Sequence, residues 1–211
     1  MNSLIDGNAR KARVFLAHGA GAGMNNWFIE ELATCLASEM IEIVRFNFPY
    51  MQKMEETGKR RPPDTMSKLK QAYLDIITQY DDGLPCFLLG KSMGGRVATM
   101  LVDKSTALAC FVVGYPFHPV GQPDRLRIEH LGSIRKPIWI YQGTRDKLGF
   151  KTEVADYPLD EKVNVVWFED GDHDLKPRRA SGHTQSEYIA KVTLLISEKI
   201  DSLLQVSAPK R

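Results

Sequence analysis

Residues 86–96 read Cys86-Phe87-Leu88-Leu89-Gly90-Lys91-Ser92-Met93-Gly94-Gly95-Arg96. An apolar run leads directly into Gly90-Lys91-Ser92-Met93-Gly94, and a helical pattern follows. This is a G-x-S-x-G turn in the strand–turn–helix setting that gives the motif meaning, with Ser92 at a sharp bend that exposes its hydroxyl. Gly90 and Gly94 lack Cβ atoms, so strand and helix can approach on either side. Two rivals use the same residues. Gly90-Lys91-Ser92 matches the end of a phosphate-binding loop, but that loop needs a glycine where this chain has Pro85. The intervening Cys86–Leu89 favour a strand over a cradle of N–H groups. A plain tight turn explains the glycines but gives no reason for the partners found elsewhere in the chain.

Working outward, short apolar runs alternate with helical patterns. The runs are Val14–Ala17, Ile41–Phe46, Cys86–Leu89, Cys110–Val113, Ile138–Tyr141 and Val163–Phe168. Most show no polar alternation, as expected of strands buried on both faces. Helices are predicted over Trp27–Ser38, Thr65–Tyr80 and Ser92–Lys104. A capping box at Thr184–Glu187 opens a last helix with Ile189, Val192, Ile196, Ile200 and Leu203 on one face. The repeating order predicts an α/β fold with a mainly parallel sheet of six to seven strands and helices on both faces. Pro49–Asp64 and Tyr115–Pro137 read as long loops, the latter with one short helix. Both leave strand carboxyl ends, where ligands sit in open parallel sheets, so they are candidate pocket walls.

Acyl transfer at a serine needs a base, an acid to orient it, and two N–H donors for the oxyanion. Met93, after the serine, is the first expected donor. The second belongs on the loop after Val14–Ala17, which reads His18-Gly19-Ala20-Gly21-Ala22-Gly23, and Ala20 is the choice. A dinucleotide fingerprint there is incomplete in either register, because its third glycine would fall on Met24 or Asn26. The next strand also ends Arg45-Phe46-Asn47, without an acidic ribose ligand. His18 reads as a buried imidazole bracing the loop. Asp146 lies just past the strand Ile138–Tyr141, and His173 lies before the last helix, giving the chain order Ser, Asp, His. Asp170, Asp172 and His183 are substitutes. Asp170, Asp172, Asp174 and His173 show no metal-ligand spacing, so no metal is expected.

The 211 residues suit one domain spanning 1–211, with 1–12 and 206–211 as poorly ordered ends. A net charge of +2 gives no basis for nucleic-acid binding. No apolar run is long enough to span a bilayer, and Met1–Arg13 lacks the apolar centre of a secretory signal, so a cytoplasmic location is expected. Cys35, Cys86 and Cys110 form no C-x-x-C pair and suggest neither disulfides nor zinc.

His18-Gly19-Ala20-Gly21, the Gly90–Arg96 segment, Tyr115-Pro116-Phe117-His118-Pro119, Gln142-Gly143-Thr144-Arg145-Asp146 and Gly171-Asp172-His173 resemble small α/β hydrolases. These are dienelactone-hydrolase-like in form. The chain looks similar to the testis-expressed hydrolase-like group and to the hydrolase-like domain of a histone-acetyltransferase complex subunit. The resemblance runs from Val14 to Leu204. It implies a three-layer α/β-hydrolase fold without a large cap domain, a Ser92–Asp146–His173 triad, and no metal or organic cofactor. The chain departs from dienelactone hydrolase proper in having serine for the nucleophilic cysteine. The first two strands of larger members are missing, unless Met1–Gly7 supplies a remnant.

The expected activity is hydrolysis of a small ester or thioester through an acyl-enzyme, by a monomer or homodimer. The alternative is a non-catalytic interaction module that kept the fold. Tyr50, Lys91, Tyr115, Phe117 and His118 are the expected substrate contacts. Lys59, Arg60, Arg61, Lys91, Arg145, Lys147, Lys176, Arg178 and Arg179 lie on the rim loops, and would favour an anionic substrate unless neighbouring acids neutralise them.

Overall fold

All six apolar runs form strands, and the computed structural model, which describes residues 2–207, adds a seventh at the amino end. The elements are β1 (Ser3–Asp6), β2 (Ala12–Ala17), α1 (Trp27–Leu36), β3 (Ile41–Phe46), α2 (Pro49–Thr57), α3 (Met66–Gln79), β4 (Cys86–Lys91), α4 (Met93–Leu101), β5 (Cys110–Val113), β6 (Ile138–Gly143), α5 (Lys151–Val154), β7 (Val163–Phe168) and α6 (Gln185–Ser207). One sheet runs in the order β1-β3-β2-β4-β5-β6-β7, and every pair except β1–β3 is parallel. The order reverses at β2, between β3 and β4. Such a switch point opens a crevice beyond the strands' carboxyl ends.

Alternate strand residues point to opposite faces, and here both faces are covered. Phe15, Val44, Phe46, Leu88, Val112 and Ile140 pack against α2, α3 and α4 on one side. Val14, Leu16, Ile43, Leu89, Phe111 and Val113 pack against α1 and α6 on the other. This double burial is why the runs carry no polar alternation. The Thr184–Glu187 capping box is present, with Glu187 N–H donating to Thr184 Oγ1 at 3.2 Å and Thr184 N–H to the Glu187 carboxylate at 2.7 Å. It starts α6, whose Ile189, Val192, Ile196 and Ile200 are fully buried.

Two expectations are corrected. The expected loose end 1–12 is structured in its described part, residues 2–12: Ser3–Asp6 is an antiparallel edge strand, and β2 already begins at Ala12. The cause is ionic. Asp6 takes two hydrogen bonds, 2.7 and 3.0 Å, from the buried Arg45 guanidinium on β3, a bidentate pair that adds to that cation's contacts with the Met24 carbonyl and Glu30. Pro49–Asp64 is not wholly a loop, because Pro49 begins α2. Proline at the first helical position has a preset φ and lacks an N–H that would go unpaired there. Only Tyr50 and Met51 of α2 are buried, which leaves too short an apolar pattern to recognise. In the expected loose segment 206–211, Val206 and Ser207 close α6, and 208–211 lie outside the described residues. Among the described residues no helix is long and apolar enough to cross a membrane.

Candidate active site

Ser92 stands between β4 and α4 with φ 53° and ψ −116°, a backbone conformation that is costly for a residue with a side chain. The surroundings impose it. The first turn of α4 is pressed onto the end of β2, and a Cβ on Gly94 would lie 2.5 Å from the His18 carbonyl oxygen and 2.6 Å from that of Ala17. Gly90 is as tight, since a Cβ there would lie 2.3 Å from the Gly95 nitrogen. The Ser92 N–H donates to the Val113 carbonyl at 3.1 Å, which ties the bend to β5.

From this bend a continuous hydrogen-bonded path runs across the strand ends. Ser92 Oγ lies 2.8 Å from His173 Nε2, and His173 Nδ1 lies 2.7 Å from Asp146 Oδ2. Asp146 is fully buried. Its Oδ2 also accepts from Gln142 Nε2 at 2.8 Å, and its Oδ1 accepts the Leu148 N–H at 2.9 Å. Three donors thus hold the carboxylate in one orientation. A carboxylate accepting at Nδ1 fixes a tautomer that leaves Nε2 as an acceptor for the serine hydroxyl. Gln142 was not singled out from the sequence. Its Oε1 also accepts the Tyr115 N–H at 2.7 Å, so one amide fixes both Asp146 and the loop after β5. The available signal was a polar residue closing the otherwise apolar strand Ile138–Tyr141.

The loop after β2 is held from below. His18 is fully buried; its Nε2 accepts the Phe48 N–H at 3.0 Å, so Nδ1 carries the proton and donates to the Gly19 carbonyl at 2.6 Å. Burial lowers the His18 pKa to about 4, so it is neutral near pH 7. The Tyr50 hydroxyl donates to the Ala20 carbonyl at 2.9 Å and approaches that of Gly19 at 3.3 Å. A trans peptide points its C=O and N–H in opposite directions. With the Gly19 carbonyl held inward, the Ala20 N–H faces outward. Among the described residues neither the Ala20 nor the Met93 N–H has a protein acceptor.

A cleft of about 460 Å³ opens beside His173. Its walls are Gly19, Gly21 and Ala22 of the loop after β2, the start of α1 with Asn26, Trp27 and Phe28, and Lys91, Asp174, Lys176 and Gln185. Trp27 is half exposed at the mouth. Sequence reasoning did not find the α1 wall, because nothing local marks a helix start as cleft-facing.

The alpha/beta hydrolase domain profile matches residues 10–201. The chain belongs to that family. Solved structures of similar fold include an α/β serine hydrolase without a lid from Xanthomonas campestris, 15% identical, covering 99% of this chain and 90% of that one with a TM-score of 0.65. A dienelactone hydrolase from Anabaena variabilis is 18% identical over 93% of this chain and 88% of its own, TM-score 0.66. A monoacylglycerol lipase from Paleococcus ferrophilus is 13% identical over 96% and 98%, TM-score 0.66. At these identities the likeness concerns the fold. The seven-stranded, mostly parallel sheet is that of an α/β hydrolase without a large cap domain.

Within this hydrolase domain most expected substrate contacts are displaced. Tyr115 and Phe117 are fully buried with ring centroids 4.8 Å apart, and the Tyr115 hydroxyl is spent on the Arg127 carbonyl at 2.8 Å. His118 is buried against Glu153 at 3.1 Å. This segment is apolar filling for the β5–β6 excursion and does not line the cleft. Tyr50 is buried beneath the Gly19–Ala20 loop. Lys91 does reach the cleft, but its ammonium is already bonded, 2.9 Å from the His173 carbonyl and 3.0 Å from Asp174 Oδ1.

The basic rim is matched by acids only in part. Asp170 pairs with Arg145 and Arg178, and the Arg178 guanidinium holds its carboxyl below the ordinary range. Asp172 Oδ1 accepts the N–H groups of Asp174 and Lys176, at 2.9 Å each. Lys59, Arg60, Lys147 and Arg179 are simply exposed, and Arg61 borders a separate depression beside Tyr50.

Proposed function

We propose that this α/β hydrolase is a serine hydrolase of small esters or thioesters working through an acyl-enzyme, with no cofactor. The observation that supports it most is the unbroken path Asp146–His173–Ser92, with His173 lining a cleft. Ser92 Oγ attacks the substrate carbonyl carbon as its proton passes to His173 Nε2, and the carbonyl electron pair moves onto oxygen. The N–H groups of Ala20 and Met93 hold that oxyanion. Its collapse breaks the bond to the alcohol or thiol, which takes the proton from His173. Water then repeats the sequence on the acyl-enzyme, releasing the acid and restoring Ser92. Asp146 keeps the imidazole oriented and stabilises its protonated form.

The cleft's volume and mixed lining suit a small substrate. Of the basic rim residues Lys91 and Lys176 line the cleft, and Asp174 beside them pairs with Lys91, so neutral esters are expected to be accepted alongside anionic ones. The three free cysteines suit a reducing cytoplasm. The Tyr115–Pro119 segment supports a kinship with the testis-expressed and acetyltransferase-subunit hydrolase-like group.

A fluorophosphonate probe tests the reading. Wild-type protein is expected to label, Ser92→Ala to lose labelling, and His173→Ala to label far more slowly. A folded wild type that does not react would instead support an interaction module.

A further inference from the structure

Lys91 immediately precedes Ser92, yet its side chain ends in another loop. It is 6% exposed. The stem runs under the loop after β2, where a Cβ on Gly19 would lie 3.8 Å from Lys91 Cγ. The ammonium then meets the His173 carbonyl at 2.9 Å and Asp174 Oδ1 at 3.0 Å, and stands 5.6 Å from the centre of the Phe28 ring. Burying an ammonium is unfavourable, and an apolar residue would fill this space at lower cost. Burial lowers the Lys91 pKa, opposed chiefly by Asp174.

The loop that receives this ammonium needs holding. Asp170 and Leu175, on either side of His173, both have φ 56°, a region disfavoured for residues with side chains. Such conformations persist only where surrounding contacts over-determine them. The strand end that carries Ser92 supplies one of those contacts directly, through the adjacent residue.

We infer that Lys91 is a positioning residue for His173. By clamping the carbonyl of residue 173 and the carboxylate of Asp174, it refers the imidazole's position to the backbone that carries Ser92. This rests on the serine-hydrolase reading above. It also has an electrostatic consequence. The charged groups around the ammonium are Asp174, Asp172, Asp146, Lys176 and the His173 ring, which gains charge during turnover. Lys91 opposes that gain and Asp174 favours it.

The test uses the full chain with p-nitrophenyl acetate, a neutral ester, after wild-type labelling at Ser92 has established the hydrolase reading. Failure to label defeats that reading; the variants below test the clamp alone. Lys91→Met is expected to lower kcat by about 10²-fold, the scale of a small misplacement of a reacting group. KM should change by no more than about twofold, since the ammonium is already bonded to the His173 carbonyl and Asp174. The acid limb of the kcat/KM profile should move to higher pH in Lys91→Met and to lower pH in Asp174→Asn. A merely structural role would not produce opposite shifts. Wild-type kcat in folded Lys91→Met, or a raised KM with kcat intact, would overturn the inference. If Lys91→Met does not fold, Asp174→Asn, which removes the ionic half of the clamp, decides: a lowered kcat with KM unchanged supports the clamp, and wild-type kcat overturns it.

Discussion

The two sides of the candidate active site are built by different physics. The Ser92 side is backbone against backbone: α4 sits on β2 through Gly94, and the Gly19–Ala20 loop rests on a buried neutral histidine and a tyrosine hydroxyl. The His173 side is two loops held by charge, through Lys91–Asp174, Arg145–Asp170 and Arg178–Asp170. The first should respond to added atoms and to protonation of an imidazole. The second should respond to removal of charges and to salt.

The largest expected effect lies where the two sides meet. Asp146→Asn should lower kcat by about 10⁴-fold by losing control of the imidazole tautomer. Steady-state kinetics beside a thermal melt would separate this from unfolding, and a loss under tenfold would detach Asp146 from the relay.

Acid separates the sides next. His18 is held near pKa 4 in the fold against about 6.5 when unfolded, so the unfolded chain binds the extra proton between those values. Its contribution is complete above pH 6.5 and declines as pH falls toward 4, by up to about 3 kcal/mol. His130, also lowered to about 4 by burial, adds to the same window. Denaturant melts across pH 4–7 should show that slope, reduced in His18→Asn. The carboxylates of Asp170 and Asp174 are both held low, so they keep their contribution through this window and lose it only below the ordinary carboxylate range.

Gly94→Ala should cost about 1–3 kcal/mol, as overpacking does, because the new Cβ meets only backbone. A thermal melt should show the loss of stability and kinetics a loss of activity with it, since the backbone that must move carries both Ser92 and His18. Asp170→Asn is the mildest. It should leave the Ser92 side intact, lower kcat/KM by about tenfold, and make activity less sensitive to salt. Equal salt sensitivity in the variant and the wild type would remove the distinction between the sides.

The sequence made the Ser92 side legible because its constraints are local. Gly90, Ser92 and Gly94 lie within five residues, and a strand and a helix flank them. Asp146 and His173 were legible through chain order and their places after apolar runs. Gln142, Tyr50 and Lys91 were not legible in their observed contacts, because each depends on loops brought together only in the fold. Tyr115, Phe117 and His118 misled for a related reason: an aromatic cluster after a strand looks the same whether it lines a cleft or fills a core. Ser3–Asp6 was obscured because its partner, Arg45, lies on another strand.

The central claim is that Ser92 carries the acyl group, served by His173. Rapid quenching of the protein during turnover of p-nitrophenyl acetate, followed by mass spectrometry of the peptide containing residue 92, tests it most directly. The account predicts an acetyl adduct on Ser92 that forms with a burst of p-nitrophenol and is absent in Ser92→Ala. Turnover that persists in Ser92→Ala, or an adduct only at another residue, would contradict it.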